Sequence, residues 1–360
     1  MPTKIEGKTA VDWFLEGLGY HKQGRYTEAI QCYDRVLEID PNRAGAWFNK
    51  GNALDDLGRF AEAIACFDRA IEIDPNHADA WLNKGNALDD LGRFAEAIEC
   101  FDRVLEIDPN HANTWYNKGI ALSNLGRYTE AIACHDRSIE ISPDLAHAWN
   151  GKGGALNDLK RYVEALIYFN RALEIDPNHE TAWYNKGNAC AKLGNYDEAI
   201  SCYEQAININ PEFAEAWNNK GYALNYSRRY NEAIACYDRA LRINPNDAKA
   251  WYGKGNALKN LKRYNEAIAC YDQALEIDPN YANAWNNKGL ALDNLRRYNE
   301  AIACYDRALE IDPNYANAWN NKGIALKNLK RYNEAIACYD RVLEIDPNHA
   351  TTWSNKGNTL

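Results

Sequence analysis

The sequence predicts an all-α fold, a solenoid of stacked helix–turn–helix units, from a strict 34-residue period. All eleven tryptophans lie on one grid with this spacing, which begins at Trp13 and Trp47 and ends at Trp353. Ten of the eleven prolines and nine of the ten cysteines follow the same spacing. Such a period is typical of stacked repeat proteins, in which each unit covers the apolar face of its neighbours. The 360 residues are therefore expected to form one array rather than several globular domains.

The first helix of each unit is amphipathic, as the unit at 282–315 ("ANAWNNKGLALDNLRRYNEAIACYDRALEIDPNY") shows. It is expected to run from about Ala282 to Leu295. At about 100° per residue, the asparagines fall on one side of this helix. The opposite, apolar side carries Ala284, Trp285, Gly289, Ala291 and Leu292. The polar side of the first helix is expected to face the inner surface of the coil.

The second helix, from about Tyr298 to Ile311, has the wider apolar face, which covers roughly half of its circumference. It is therefore expected to be the more buried helix of the pair. Asp312-Pro313-Asn314 ends it, because a proline disfavours helix in the preceding residue and cannot continue one. Asn314 is expected to cap the helix that follows.

Seven positions of this unit resemble the tetratricopeptide repeat, in a prokaryotic-type array of near-identical copies. The family's Trp, Gly, large apolar, Ala, aromatic, Ala and Pro positions hold Trp285, Gly289, Leu292, Ala301, Tyr305, Ala308 and Pro313. One departure is general, because Lys288 and its equivalents stand where the family usually has Leu. The resemblance implies a right-handed α-α superhelix (solenoid) of tetratricopeptide helix–turn–helix repeats.

The match defines the expected organisation of the chain. Residues 1–9 form an N-terminal segment, residues 10–349 form ten repeats, and residues 350–360 form a partial eleventh repeat with a first helix only. The ten repeats are 10–43, 44–77, 78–111, 112–145, 146–179, 180–213, 214–247, 248–281, 282–315 and 316–349. Because no polar capping helix follows the last of them, we expect either a fragment of a longer chain or an end that packs against something else.

A lysine precedes the glycine in every copy but the first, inside the apolar stripe. A buried lysine stem is tolerated only if its ammonium reaches water or a partner. One acid recurs on the flank of the second helix, and pairing within a repeat would set Glu16 against Asp34. Pairing each lysine with the acid of the preceding repeat removes that conflict. It predicts a ladder that includes Asp34–Lys50 and Asp272–Lys288; a solvated flank is the alternative.

Two series of asparagines run along the polar side of the first helices. Two places before the glycine lie Asn49, Asn83, Asn117, Asn185, Asn219, Asn287, Asn321 and Asn355. Just after the glycine lie, among others, Asn52, Asn86, Asn188 and Asn256. A carboxamide offers a donor and an acceptor, as a peptide bond does. The series predicts a face that holds extended peptide backbone; solvation, or bonding between carboxamides of successive repeats, is the alternative.

The resemblance implies the same function. In tetratricopeptide domains the inner face of the first helices commonly binds peptide segments, and a glycosyltransferase member contacts substrate backbone through asparagines in the position of Asn287. The carboxylate clamp of chaperone-adaptor members is not expected here. No lysine stands directly before the first asparagine series, and Gly253 stands where the arginine that follows Lys249 in the clamp would be.

Composition and charge exclude other classes of protein. The chain is 46% hydrophobic and 26% charged, as foldable proteins are. Its net charge of −10 argues against nucleic acid as the main partner. No apolar stretch is long enough for a membrane helix, so no membrane association is expected. The N-terminus has no signal-peptide core, which favours a cytoplasmic location.

No catalytic or metal-binding constellation is present in the sequence. The chain has no CxxC pair, and the histidines between repeats lie one repeat apart, too far to share a metal ion. No nucleophile and base are spaced as a catalytic pair. His135 replaces the core aromatic of its repeat and is expected to be a buried ring. We therefore expect no enzyme activity and no cofactor.

Two classes of function remain. The first is a non-catalytic scaffold that binds extended segments of a protein or peptide partner on its concave face. The second is a structural subunit that assembles with itself through repeat ends, or docks in a larger complex through its outer face. Charge along the inner face changes from early acids to later bases, which would orient a ligand. These are Asp55, Asp56, Asp89, Asp90, Lys259, Lys262, Lys327 and Lys330.

Overall fold

The computed structural model describes residues 4–359, so residues 1–3 of the expected N-terminal segment and Leu360 of the partial repeat lie outside it. The described residues form 21 helices, joined by short turns. The helices are α1 (Ala10–Lys22), α2 (Tyr26–Ile39), α3 (Ala44–Asp55), α4 (Phe60–Ile73), α5 (Ala78–Asp90), α6 (Phe94–Ile107), α7 (Ala112–Asn124), α8 (Tyr128–Ile141), α9 (Ala146–Asp158), α10 (Tyr162–Ile175), α11 (Glu180–Lys192), α12 (Tyr196–Ile209), α13 (Ala214–Tyr226), α14 (Tyr230–Ile243), α15 (Ala248–Asn260), α16 (Tyr264–Ile277), α17 (Ala282–Asn294), α18 (Tyr298–Ile311), α19 (Ala316–Asn328), α20 (Tyr332–Ile345) and α21 (Ala350–Gly357).

The chain divides between Asn185 and Lys186, within α11, into two compact units. In each unit an odd-numbered helix packs most extensively on the even-numbered helix that follows it, and that helix packs on the next odd-numbered one. The contacts are thus between sequence neighbours, as in a solenoid. The all-α fold with repeated helical pairs is the one that the sequence predicts.

The core of each repeat is an aromatic ring on the even-numbered helix that lies against a glycine of the odd-numbered helix. Tyr305 is fully buried, and a Cβ at Gly289 would lie 2.5 Å from its Cε1 atom. Real Cβ atoms do not approach so closely, so the family's glycine position is required by the ring that packs on it. Leu292 and Ala301 complete this part of the core.

The turn inside each helical pair needs one residue in the left-handed conformation. Gly92 holds this place in the third repeat, with φ 72°, and Arg93 N donates to Leu88 O at 2.8 Å behind it. Glycine adopts this conformation without strain, which is the usual way to end a helix. The fifth repeat and the seventh to tenth repeats use a charged residue instead, as at Lys330 with φ 63°.

The turn between repeats is held by two side chains. Asp312 Oδ1 accepts a hydrogen bond from Asn314 N at 3.0 Å, and Trp319 Nε1 donates to Pro313 O at 3.0 Å. The N-cap of α19 is Tyr315, so the expectation that Asn314 caps the next helix is wrong. The Asp side chain forms a local turn with the backbone of Asn314, which delays the helix start by one residue.

Among the described residues, no helix combines the length and the hydropathy that a bilayer crossing requires.

Candidate functional site: the inner face of the odd-numbered helices

The odd-numbered helices form the inner layer of each unit. Successive odd-numbered helices contact one another, as α3 does with α5 and α15 does with α17. The described even-numbered helices make no mutual contact of similar extent. Crowding on one side of a stack of helical pairs places that side on the inside of the curve. We call the surface formed by both asparagine series on these helices the inner face.

The carboxamides of the two series bond to each other across repeats. Asn83 Nδ2 donates to Asn52 Oδ1 at 2.9 Å, and Asn117 Nδ2 donates to Asn86 Oδ1 at the same distance. In the second unit Asn219 pairs in this way with Asn188, at 2.9 Å, and Asn287 with Asn256, at 2.8 Å. The donor lies 31 residues after its acceptor in all four pairs.

Where the residue after the glycine is not asparagine, another asparagine four places earlier accepts instead. Asn185 Nδ2 donates to Asn150 Oδ1 at 3.1 Å, because position 154 is a glycine. Asn321 and Asn355 use Asn286 and Asn320 in the same way, each at 3.0 Å. The copy before Asn49 has no asparagine at either acceptor position. The Nδ2 group of Asn49 instead donates to Gly45 O of its own helix at 2.7 Å.

The two interruptions of the first series have a packing reason. A Cβ at Gly151 would lie 2.6 Å from His135 Cε1, and one at Gly253 would lie 2.5 Å from Tyr237 Cζ. Both rings belong to the preceding repeat, so these two first helices approach the neighbouring core too closely for any side chain. Asparagine is therefore missing from the series where the backbone itself covers the ring.

The carboxamides retain capacity for a ligand after these bonds. Asn83 uses one of its two N–H groups in the bond to Asn52, so its Oδ1 and its second N–H remain for a ligand. Asn52 uses only its Oδ1 in this bond. A carboxamide that is oriented by one fixed hydrogen bond presents its other groups in a defined direction. The inter-repeat bonds thus orient the predicted peptide-binding residues.

The lysines before the core glycines pair with acids of the preceding repeat. Lys50 Nζ lies 2.6 Å from Asp34 Oδ1, and Lys288 Nζ lies 2.5 Å from Asp272 Oδ1. The other pairs of this kind are Lys84–Asp68, Lys118–Asp102, Lys152–Asp136, Lys220–Glu204, Lys254–Asp238, Lys322–Asp306 and Lys356–Asp340. Where Asn170 replaces the acid, Lys186 lies 3.7 Å from Glu198 instead.

The lysine stem also covers a tryptophan. Lys288 Nζ lies 5.2 Å from the centre of the Trp285 ring, and its side chain is 20% exposed. This geometry combines a cation–π contact with an ion pair at the edge of the core. In the first copy Glu16 replaces the lysine, and it forms an ion pair with Lys8 of the N-terminal segment. These pairs connect repeats and lie apart from the asparagine series.

Charged groups at the ends of the odd-numbered helices differ between the units. In the first unit burial raises the pKa of Asp55 and of Asp89, and the neighbouring Asp90 adds to both shifts. His21 Nε2 lies 2.8 Å from Asp56 Oδ2. In the second unit the residue in the register of Asp55 is Lys259, and its burial lowers the pKa of its ammonium. The inner face is thus acidic in one place and basic in another.

A cleft of about 570 Å³ opens on the inner face of the second unit, between α13 and α15. Tyrosines form much of its lining, and asparagines from both series form the rest of its wall. Its cationic lining residues are Arg228, Lys249 and Lys259. We call this space the tyrosine cleft.

The tyrosines of the cleft are arranged in two groups. Tyr226 stacks on Tyr196 with ring centres 5.2 Å apart, and its ring centre lies 4.6 Å from that of Tyr222. In the second group the ring centres of Tyr252 and Tyr281 lie 4.9 Å apart. The Tyr252 hydroxyl accepts a hydrogen bond from Asn287 Nδ2 at 3.0 Å.

Sequence reasoning did not identify the tyrosine cleft. The signal was available, because Tyr222 and Tyr226 stand in registers that hold asparagine, aspartate or other residues in the remaining copies. The i,i+4 spacing places both rings on one face of α13, but it does not show that Lys259 of α15 lies beside them.

The described residues contain no group of three or more His, Cys, Asp or Glu side chains placed to hold a metal ion. His135 is fully buried at the core position of its repeat, where both ring nitrogens lack a hydrogen-bond partner.

Family models described as tetratricopeptide repeat match nearly the whole array. One matches residues 14–78 and 48–112, and a second matches residues 110–178. A third matches residues 181–213, 214–247, 248–281, 282–315 and 316–349. A search of curated proteins gives no match.

Several solved structures are similar to this chain, and the first of them shows the fold. A chain of the APC/C hetero-tetramer Cut9–Hcn1 is 20% identical with a TM-score of 0.57, and the match covers 98% of this chain and 76% of that one. YrrB, described as a TPR protein with an unusual peptide-binding site, is 26% identical over 51% of this chain and 95% of its own, with a TM-score of 0.45. Yeast Tom70 is 15% identical over 97% of this chain and 94% of its own, with a TM-score of 0.46.

Proposed function

Because the chain belongs to the tetratricopeptide repeat family, we propose that it is a non-catalytic scaffold for protein–protein interaction whose inner face binds extended peptide segments. The observation that carries this proposal is the chain of carboxamides along the inner face. Asn83, Asn117 and Asn219 each give an N–H to an asparagine of the preceding repeat, and Asn287 gives one N–H to Asn256 and the other to Tyr252 Oη. Asn83 and Asn117 each retain a donor and an acceptor of the kind that a peptide bond requires.

The inter-repeat hydrogen bonds favour binding because they fix the carboxamides before a ligand arrives. Ordering a free side chain on binding costs about 0.5–1.5 kcal/mol, and a side chain that is already held avoids much of that cost. Backbone contacts of this kind are independent of ligand sequence. The inner face would therefore bind a range of extended segments, with selectivity supplied by other residues.

The spacing of the repeats suits an extended chain. Packed helices lie about 8–10 Å apart, and an extended peptide advances about 3.3–3.6 Å per residue. Roughly three peptide residues would therefore pass each first helix. A segment of about a dozen residues would meet four of them.

The location proposed for the scaffold is the cytoplasm. All ten cysteines are buried and free, which is the usual state of thiols in a reducing compartment.

The proposal is tested by the double variant Asn219→Ala/Asn287→Ala in a binding experiment with peptides selected from a random array. Each lost contact should weaken binding by about 1 kcal/mol, so the affinity should fall about 30-fold for peptides that span both repeats. The control is Asn76→Ala, which changes an asparagine in an exposed turn between repeats. Thermal unfolding of each variant separates loss of binding from loss of structure.

Equal peptide affinity of the double variant and the unchanged protein would contradict a role for the carboxamides. The alternative function, a subunit that assembles through its outer face or its ends, predicts a different result. A mass that rises with concentration in light scattering, together with no enriched peptide, would favour that alternative.

A further inference from the structure

We infer that the tyrosine cleft is a side-chain subsite for an acidic residue of the bound peptide, next to an aromatic or large aliphatic residue. In this assignment the Lys259 ammonium pairs with the carboxylate, and the exposed rings of Tyr222 and Tyr226 cover the apolar neighbour. The inference rests on the proposed function and deepens it, because the carboxamides hold any backbone whereas the cleft selects a sequence.

The charge of the cleft favours a carboxylate. Three cationic side chains line it, Arg228, Lys249 and Lys259, and no lining residue is acidic. This is unusual in a chain with 51 acidic and 41 basic residues. A cationic lining in a concave, partly apolar space concentrates the field that an anionic group experiences. The acidic side chain of a peptide complements it.

Lys259 is the central residue because it lacks a counter-ion. Its side chain is largely buried, and no other described residue forms an ion pair or hydrogen bond with its ammonium. The lysines before the core glycines are buried to a similar degree, and each of them has an acidic partner, as Lys254 of the same helix has in Asp238 at 2.7 Å. A buried ammonium without a partner is unfavourable, so a ligand carboxylate would supply the missing charge.

The two tyrosines next to the cationic groups are exposed to an unusual degree. Tyr222 is 46% exposed and Tyr226 is 54% exposed, although their rings are in mutual contact. Large rings that are held by packing and still face solvent are efficient binding surfaces, because little conformational freedom is lost when a ligand covers them. An aromatic or large aliphatic side chain fits this surface.

Polar groups along the cleft favour a peptide as the occupant. Asn219 and Asn287 lie in the cleft wall, and the hydrogen bond from Asn287 Nδ2 orients the Tyr252 hydroxyl. Carboxamides and hydroxyl groups are side chains of the kind that form hydrogen bonds with a peptide backbone. A nucleic acid would require a wider basic surface for its successive phosphates, and the net charge of the chain is −10.

The cleft also coincides with a break in the asparagine series. Gly253 replaces the asparagine of its register, and the Tyr237 ring lies directly behind it. The absence of a side chain at this place leaves the space in front of Tyr237 open. At Gly151, the other interruption, the adjoining registers hold Ile120 and Asn124 rather than two tyrosines.

The test selects amidated, acetylated heptapeptides from a random array with the full-length protein and with two variants. Lys259→Met removes the charge in the cleft, and Lys327→Met removes the equivalent lysine two repeats later, outside the cleft. The unchanged protein should enrich peptides with Asp or Glu beside Phe, Tyr, Trp or Leu. Lys259→Met should lose the acidic preference, and Lys327→Met should retain it.

The affinity of a selected peptide and of its Glu→Gln or Asp→Asn counterpart completes a thermodynamic cycle. The change in the peptide should weaken binding to the unchanged protein about 10- to 100-fold, as for a charge-assisted hydrogen bond. It should have little effect on binding to Lys259→Met. Tyr226→Ala should weaken binding of the same peptide and reduce the preference for the apolar neighbour.

Each other outcome overturns the inference. Enriched peptides without an acidic residue, or an unchanged preference in Lys259→Met, would reject the cleft as an acidic subsite while leaving the scaffold function intact. Tighter binding of a thymidine oligonucleotide than of any selected peptide would assign the cleft to nucleic acid. Failure of the unchanged protein to enrich any peptide would reject both the inference and the proposed function.

Discussion

At the scale of single residues, the same residue type has opposite roles at neighbouring positions. Gly153 and Gly154 are adjacent in α9, and both break the general rule that glycine is unfavourable inside a helix. A Cβ at Gly153 would lie 2.5 Å from Phe169 Cε1, whereas one at Gly154 would meet no atom within 4 Å. One glycine is required by packing and the other only weakens the helix.

Exchange of these two glycines for alanine is therefore expected to change stability in opposite directions. Gly153→Ala should lower the free energy of unfolding by about 1–3 kcal/mol, because the Phe169 ring cannot move away. Gly154→Ala should raise it by about 1 kcal/mol through helix propensity alone. Guanidinium unfolding of both variants measures the difference. Changes of the same sign would show that the ring does not determine the glycine.

His135 makes the stability of its repeat depend on pH. Burial lowers the pKa of its imidazole from the ordinary 6.5 to about 4. The unfolded chain therefore binds a proton between these values and the folded chain does not, so this contribution is complete above pH 6.5 and is lost as the pH falls towards 4. His135→Phe should remove that dependence.

The same variant should also be more stable at neutral pH, by about 1–3 kcal/mol, because both buried ring nitrogens of His135 lack partners. A six-membered ring fits this place, since Tyr237 occupies the equivalent site between Gly221 and Gly253 as His135 does between Gly119 and Gly151. Thermal unfolding between pH 4 and 7 measures both effects. A variant with the pH profile of the unchanged protein would exclude His135 as the group responsible.

At the scale of helices, the lysine ladder shows how one repeat is joined to the next. Lys288 of α17 reaches back to Asp272 of α16 and lies over Trp285 of its own helix. The lysine stem therefore closes the edge of the core, while the ion pair lies between two repeats. Such half-exposed pairs are weak individually, at about 0.2–1 kcal/mol each, and recur along each unit.

A double-mutant cycle on Lys288→Met and Asp272→Asn is expected to give a coupling of about 0.5 kcal/mol. The matched control pairs Lys288→Met with Asp306→Asn, because Asp306 lies in the repeat of Lys288 and bonds to Lys322. That cycle should give a coupling near zero. Unfolding in low and high salt measures both, and salt should reduce only the first. Larger coupling in the control would place the ion pair within a repeat.

At the scale of the whole molecule, each cysteine on the 34-residue grid is buried and free. Burial raises the pKa of the thiols of Cys66, Cys100, Cys134, Cys236, Cys270, Cys304 and Cys338 to about 11. The thiolate is the reactive form of cysteine. These thiols are therefore unreactive for two reasons, because a reagent cannot reach them and because they remain protonated.

These seven thiols are therefore expected to react slowly with a disulfide reagent at pH 8 in the folded protein. At this pH a thiol of pKa 11 is about one part in a thousand thiolate. Addition of guanidinium should make these seven thiols reactive together with the loss of helix measured by circular dichroism. Rapid labelling of the folded chain would show that the repeats open locally far more often than their packing indicates.

The sequence by itself determined the repeat, the helices and the core. A 34-residue period and the spacing of Trp, Gly and Pro report local interactions, which depend on residues that are close along the chain. The predicted second helix, Tyr298–Ile311, has the observed bounds, and the first ends at Asn294 rather than Leu295. The first copy, which has Glu16 where the others have lysine, also led to the prediction that the lysines pair with the acid of the preceding repeat.

Only the tertiary structure decided how the inner face is arranged. Whether Asn287 faces solvent or bonds to Asn256 depends on the distance between two helices that are 34 residues apart, which no helical wheel contains. The tyrosine cleft arises from Tyr222 of one helix and Lys259 of the next, and neither position is informative alone. Packing between repeats therefore gives the second unit a distinct local site, because contacts between neighbouring helices bring together side chains that lie about one repeat apart in the sequence.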